Sequence, residues 1–266
     1  MRKIKIFIRI CLILSSIMYF CLFGHAHMLW LNVSNYYPTI KEKPKVYIGW
    51  GHRYPVDDFL AKERLKEFSL ISPRGRKEKL NPNPGGFLAT ELKFSEIGTY
   101  IVSAVLKPGF YTMYIERGKI HHKSLPKTGL KNVILSLYFE QYAKALINVE
   151  EGSDSNSFSK SVGHKLEIIP LKNPYKLKAG DFLPVQVIFK GKPLKYCRVY
   201  GTYSGFSTKT DFCYATVTND KGVAEIRILH HGPWLIKADV KFPVTEDLKG
   251  KCNEIHYTAT LSFEVL

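Results

Sequence analysis

The residues with most chemistry to offer lie in Gly24-His25-Ala26-His27-Met28-Leu29-Trp30. A chain that began at His27 would carry an α-amino group and an imidazole on one residue. Those two nitrogens can close a chelate ring around a metal ion. One further imidazole completes a three-nitrogen, T-shaped set suited to copper or nickel. His52 is the natural third ligand: in Trp50-Gly51-His52-Arg53-Tyr54-Pro55 it stands where a strand leaves its sheet, a position that presents side chains at a rim. Both rings would be neutral near neutral pH. The plainer alternative is that His27 is a frayed terminal residue and His52 a hydrogen-bonded turn residue.

Other groups are weaker candidates. Asp57-Asp58, just after His52, can add an oxygen ligand, cap a turn, hold His52 from behind or pair with Arg53. His121-His122, in a basic loop after Gly118-Lys119-Ile120, can both reach one ion or can simply be exposed polar residues. His230-His231, before Gly232-Pro233-Trp234, reads as a structural turn, and His164 and His256 read as edge residues opening strands. Nothing points to an enzyme. The chain has no GxSxG, no HExxH, no glycine-rich phosphate loop and no nucleophile–base pair. Copper held at His27 would be the one route to oxidative chemistry.

For His27 to come first, something must remove what precedes it. Residues 1–26 have the three parts of an export signal: basic Arg2, Lys3, Lys5 and Arg9, an apolar run from Ile10 to Phe23, and small Gly24 and Ala26 before the expected cut. The expected mature protein is therefore exported and periplasmic, with no integral membrane segment. Cleavage after Gly24 would instead give His25-Ala26-His27, a mobile square-planar site. Loss of the leader takes the formal charge from +16 to +12. The lysines are scattered rather than blocked, which fits a solvated basic surface with weak attraction to anionic surfaces and no nucleic-acid partner. Export also implies an oxidising compartment, so Cys197, Cys213 and Cys252 are expected to give one disulfide and one buried thiol.

The elements that must position these residues read almost entirely as strands. The expected fold is all-β, with two β-sandwich, immunoglobulin-like domains in tandem. The first spans 27–150 and carries Lys45–Trp50, Phe68–Ser72, a hairpin of Phe87–Phe94 with Thr99–Leu106, Phe110–Ile115 and Ala143–Val149. One short helix is expected near 132–142, where Val133, Leu135, Leu137, Tyr138 and Tyr142 give an ambiguous period. Polar residues 151–161 read as a linker. Residues 162–266 hold seven strand-like runs with turn signals between them, the pattern of an immunoglobulin-like sandwich.

Taken together, the motifs resemble a known family. They are Ala26-His27-Met28-Leu29-Trp30-Leu31, Gly51-His52-Arg53-Tyr54-Pro55, Lys107-Pro108-Gly109-Phe110-Tyr111-Thr112, Tyr142-Ala143-Lys144-Ala145, Gly163-His164-Lys165-Leu166-Glu167-Ile168 and Gly232-Pro233-Trp234-Leu235. The series is similar to the NikM-like family of exported bacterial proteins, domain of unknown function 4198, linked to nickel or cobalt uptake. The resemblance implies a periplasmic protein that delivers or buffers nickel or cobalt, with copper or zinc as further candidates. It also implies a membrane metal transporter or outer-membrane receptor as partner. It places the family's first histidine on His27 and its Gly-His on His52. Where the family has an acidic or polar residue next, this chain has Met28, a soft extra ligand or a residue packed beside Trp30. The competing expectation is a cell-envelope carbohydrate-binding or adhesion module, indifferent to metal and built on an aromatic platform.

Overall fold

The computed structural model describes residues 27–150 and 156–266. The export segment expected over 1–26, and residues 151–155 of the expected linker, lie outside the described residues. The first half contributes β1 (Met28–Val33), β2 (Lys45–Gly51), β3 (Leu65–Ile71), β4 (Lys77–Lys79), β5 (Thr90–Glu91), β6 (Gly98–Leu106), β7 (Gly109–Glu116), β8 (Lys119–Lys123) and β9 (Val133–Val149). The second contributes β10 (Leu166–Pro170), β11 (Phe182–Phe189), β12 (Lys192–Pro193), β13 (Arg198–Tyr203), β14 (Tyr214–Val217), β15 (Val223–Arg227), β16 (Gly232–Phe242) and β17 (Glu254–Val265). The fold is all-β and sandwich-like, as the strand patterning implies. Among the described residues no helix is long and apolar enough to cross a membrane.

The strands form a three-stranded sheet, β1-β2-β5, a four-stranded sheet of β10, β11, β12 and β15, and a ten-stranded sheet that runs through both halves. β9 is the spine of the large sheet. Its 17 residues carry β7 and β6 end to end along one edge, both antiparallel, while β17 pairs along the other edge in parallel, from Glu254 opposite Leu137 to Ser262 opposite Ala145.

Alternation along β9 assigns each face to a partner. Ala143, Ala145, Ile147 and Val149 join the core shared with Leu29, Leu31, Val46 and Ile48 of β1 and β2. Tyr142 and Leu146 join the core shared with Leu166, Ile168, Leu183 and Val185 of β10 and β11. The small sheets thus cover opposite faces of the large one. Between Tyr142 and Leu146, Lys144 is buried and its ammonium meets the buried Glu167 of β10 at 2.7 Å. Glu167 also accepts from Ser161 Oγ and from the backbone amides of Val162 and Gly163. Burial alone would raise its pKa, but the Lys144 charge and these donors outweigh that and hold it below the ordinary 4.5. Beside it, His164 bonds Ser103 Oγ at 2.8 Å, and burial pushes its pKa down to about 4.

Four expectations are corrected. The segment expected as a helix near 132–142 is the first part of β9, and its ambiguous period comes from packing on both faces, which erases polar alternation. The Phe87–Phe94 strand does not pair with Thr99–Leu106: Phe87 and Leu88 turn with positive φ, and the two-residue β5 pairs with β2. His164 and His256, read as edge residues, are both buried. The expected disulfide is absent, with Cys197, Cys213 and Cys252 all free thiols, each in the connection before a different strand (β13, β14 and β17). Cys197 and Cys252 are buried, and burial pushes the Cys197 pKa up to about 12 and that of the half-buried Cys213 up to about 11.

Candidate metal centre

The register of β1 and β2 decides what meets at the end of the small sheet. Met28 lies opposite Gly51 and Leu29 opposite Trp50, so one rung further out His27 faces His52. Alternation puts both rings on the face that carries Leu29 and Trp50, at the mouth of the core between the small and large sheets. Their ring centroids are 4.3 Å apart, and the His27 ring stacks on the Trp50 indole at 5.2 Å with the planes 6° apart. Sequence reasoning paired these histidines by motif, and the structure brings them together by strand register.

Side chains from the large sheet fix the start of β1, whose outer edge has no strand beside it among the described residues. Gln141 of β9 donates its Nε2 proton to the His27 carbonyl, and Thr260 of β17 donates its hydroxyl to the Leu29 carbonyl at 2.7 Å. Gln141 is buried, and its Oε1 has no partner among the described residues. The loop after β2 is pinned as firmly. Gly51 takes a φ of 131°, and a Cβ there would strike the Asp57 carboxylate. Asp57 Oδ2 accepts from the amides of His52 and Arg53, and its Oδ1 accepts Arg53 Nε at 2.7 Å. Burial would raise the Asp57 pKa, yet these bonds hold it below the ordinary 3.8. Asp57 therefore caps the turn that carries His52 and pairs with Arg53. Trp30 Nε1 and Asn32 Nδ2 both donate to the Pro55 carbonyl, tying the loop's far end to β1.

Burial pushes the His27 imidazole below its ordinary 6.5, Asp58 and Asp57 pull it partly back, and the Arg64 charge adds to the depression. A neutral ring with a free lone pair is the form a metal requires. Arg64, at the entrance to β3, holds its guanidinium 4.9 Å from the Trp50 ring centroid and 5.7 Å from that of Phe139. Neither Arg64 nor Gln141 was found from sequence. Gln141 sits in β9 beside Glu140 and between other polar residues, so its type singles it out no more than theirs do, and Arg64 offers no signal.

The remaining candidates are placed elsewhere. Met28 packs in a separate apolar cluster with Trp30, Tyr54 and Leu235, the packing alternative beside Trp30. His121 and His122 lie on β8, an edge strand paired only with β7, where His121 stacks on Tyr114 and His122 Nδ1 contacts the Tyr111 hydroxyl. His230 and His231 form the exposed turn before β16, with His230 stacked on Tyr203. Among the described residues no group of three or more His, Cys, Asp and Glu surrounds a metal-sized point. Two imidazoles converge at this centre, and a metal there would need a further donor.

The sequence profile for the domain of unknown function DUF4198 matches residues 24–241. No curated protein matches. Among solved structures, the D0-D1 domain of intimin is 13% identical with a TM-score of 0.23, covering 88% of this chain and 96% of that one. The D00-D0 domain of intimin is 10% identical with a TM-score of 0.21, covering 90% of this chain and 100% of that one. The three N-terminal domains of the bacteriophage RB49 highly immunogenic outer capsid protein are 9% identical with a TM-score of 0.22, and the match covers 91% of this chain but only 59% of that one. Likenesses this weak carry no argument about function.

Proposed function

The chain belongs to the DUF4198 family, whose description names no activity, and from its two converging histidines we propose that it is an exported, periplasmic metal-binding protein. Its cargo is a late first-row transition metal, delivered or buffered for uptake. The resemblance to NikM-like proteins favours nickel or cobalt, and three nitrogen donors suit copper equally. A membrane transporter or outer-membrane receptor is the natural partner.

The observation that carries this reading is the 4.3 Å approach of the His27 and His52 rings at a half-buried strand end. Two imidazoles, the His27 ring held below its ordinary pKa by burial, with Asp57 and Asp58 in electrostatic reach of it, fit a cation. The third donor is the His27 amine, exposed by cleavage after Ala26. Isothermal titration of correctly processed protein with Ni(II), Co(II), Cu(II) and Zn(II) tests it. One tight equivalent is expected, and binding no tighter than that of a His27→Ala/His52→Ala double variant would sink the reading.

The rival carbohydrate-binding reading has one observation in its favour, the exposed Phe206 beside Tyr203, which stacks on His230. A glycan-array signal that survives both chelator and the His27 substitution would favour it.

A further inference from the structure

The hairpin of β7 and β8 lies at a margin of the large sheet, and among the described residues β8 pairs with no strand but β7. Its register sorts its side chains onto two unlike faces. On one, Thr112 lies opposite Lys123 and Tyr114 opposite His121. Thr112 and Tyr114 are buried there: His121 and Lys123 lie against the Tyr114 ring, and Thr112 Oγ1 donates to the Leu125 carbonyl at 2.7 Å. On the other face Ile115 lies directly opposite Ile120, while Met113 lies between His122 and Leu135 of β9. Ile115 is 39% exposed and Ile120 58%, and neither they nor the half-buried Met113 and Leu135 join any apolar core among the described residues.

Charge surrounds this bare apolar strip. Residues 115–131 carry Arg117, Lys119, Lys123, Lys127 and Lys131 against Glu116 alone. Arg117 and Gly118, both at positive φ, make the two-residue turn, so Arg117 and Lys119 stand at the tip next to the isoleucine pair. Both are exposed, and among the described residues neither has an ion pair. A partner for this surface must offer negative charge and an apolar layer together. A second copy does not: edge-to-edge pairing of β8 with itself sets lysine-bearing strands side by side, and like charges across a strand pair repel. A bilayer of anionic phospholipid offers both.

We infer that the β7–β8 hairpin docks this chain on an anionic phospholipid surface, with Ile115 and Ile120 entering the headgroup boundary while Arg117 and Lys119 meet the lipid phosphates. The inference does not rest on the metal-binding reading, since the hairpin needs no metal to act.

The test is sedimentation of the processed chain with vesicles of phosphatidylcholine alone or of phosphatidylcholine and phosphatidylglycerol in equal parts. Binding should require phosphatidylglycerol and weaken with salt. Arg117→Ser/Lys119→Ser should bind about 30-fold more weakly, since each cation near an anionic surface is worth about fivefold. Ile115→Ser/Ile120→Ser, with the charge unchanged, should lose at least about tenfold. Lys172→Ser/Lys178→Ser removes the same charge from exposed positions elsewhere and should bind within about twofold of wild type. The native tryptophans are buried, so in an Ile120→Trp variant a blue shift of emission on adding anionic vesicles reports entry of the hairpin. No binding to the anionic vesicles, an equal loss in the Lys172/Lys178 control, or full binding by the isoleucine variant overturns the inference. So does a dimer in analytical ultracentrifugation that the isoleucine variant abolishes, which would assign the face to a second copy.

Discussion

Replacing Lys144 by Met would break an ion pair buried between the large sheet and the layer of β10 and β11. The Lys144 and Glu167 side chains are 1% and 0% exposed and 2.7 Å apart, so neither can recover its loss in water. Removing one partner of such a pair costs about 3–5 kcal/mol. The two ends differ, however. Without Lys144, Glu167 keeps Ser161 Oγ and the amides of Val162 and Gly163, so Lys144→Met belongs at the low end, about 3 kcal/mol. Glu167→Leu strands the ammonium and those donors together, so it belongs at the high end, about 5 kcal/mol. For a chain of this size that corresponds to falls in Tm of roughly 6–12 °C and 10–20 °C. The double variant, with apolar groups on both sides, should be less destabilised than the sum of the singles, and close to Lys144→Met alone. Urea titration and calorimetry at pH 7 measure all three. A Lys144→Met protein within 1 kcal/mol of wild type, or strictly additive singles, would show that the pair is not sealed as described.

Two further outcomes are expected. Gln141→Leu releases the His27 carbonyl while leaving the metal-ligating atoms in place; metal affinity should fall about 10–100-fold, the usual cost of losing a group that orients a ligand, and titration of the variant beside wild type measures it. For His164 the folded pKa of about 4 lies below the ordinary 6.5, so between those values the unfolded chain binds more protons. Stability should therefore be complete above pH 6.5 and fall by roughly 3 kcal/mol as pH drops to about 4, with Glu167 adding a loss below its ordinary 4.5. Urea titrations across that range should flatten in a His164→Gln variant above pH 4.5; an unchanged slope would refute the assignment.

Much of the fold could be read from the strands that have one wet face. β11 and β15 alternate, and the strand-like runs Phe182–Phe189 and Val223–Leu229 in the sequence match them to within two residues. β9 could not be read that way, because it is covered on both faces and its period dissolves into a nearly continuous buried run. His27 and His52 were legible by residue type and motif. Their juxtaposition was not, since it depends on the antiparallel register of β1 and β2. Arg64, Gln141 and the Lys144–Glu167 pair come from strands distant in sequence, and no local spacing signals a contact made across a sheet or between layers. His164 looked like an edge residue because it opens a strand-like run, yet it is buried and bonded to Ser103.

The parallel pairing of β17 with β9 has a consequence for what holds the halves together. Nine rungs join the last strand of the chain to the last strand of the first half, and the Lys144–Glu167 bridge crosses between layers at the same place. The halves relate as subunits of an internal heterodimer would, each supplying strands to a sheet the other completes. Seen this way, the two histidines stand on a floor that both halves build, for Gln141 and Thr260, which anchor β1 from below, come one from each.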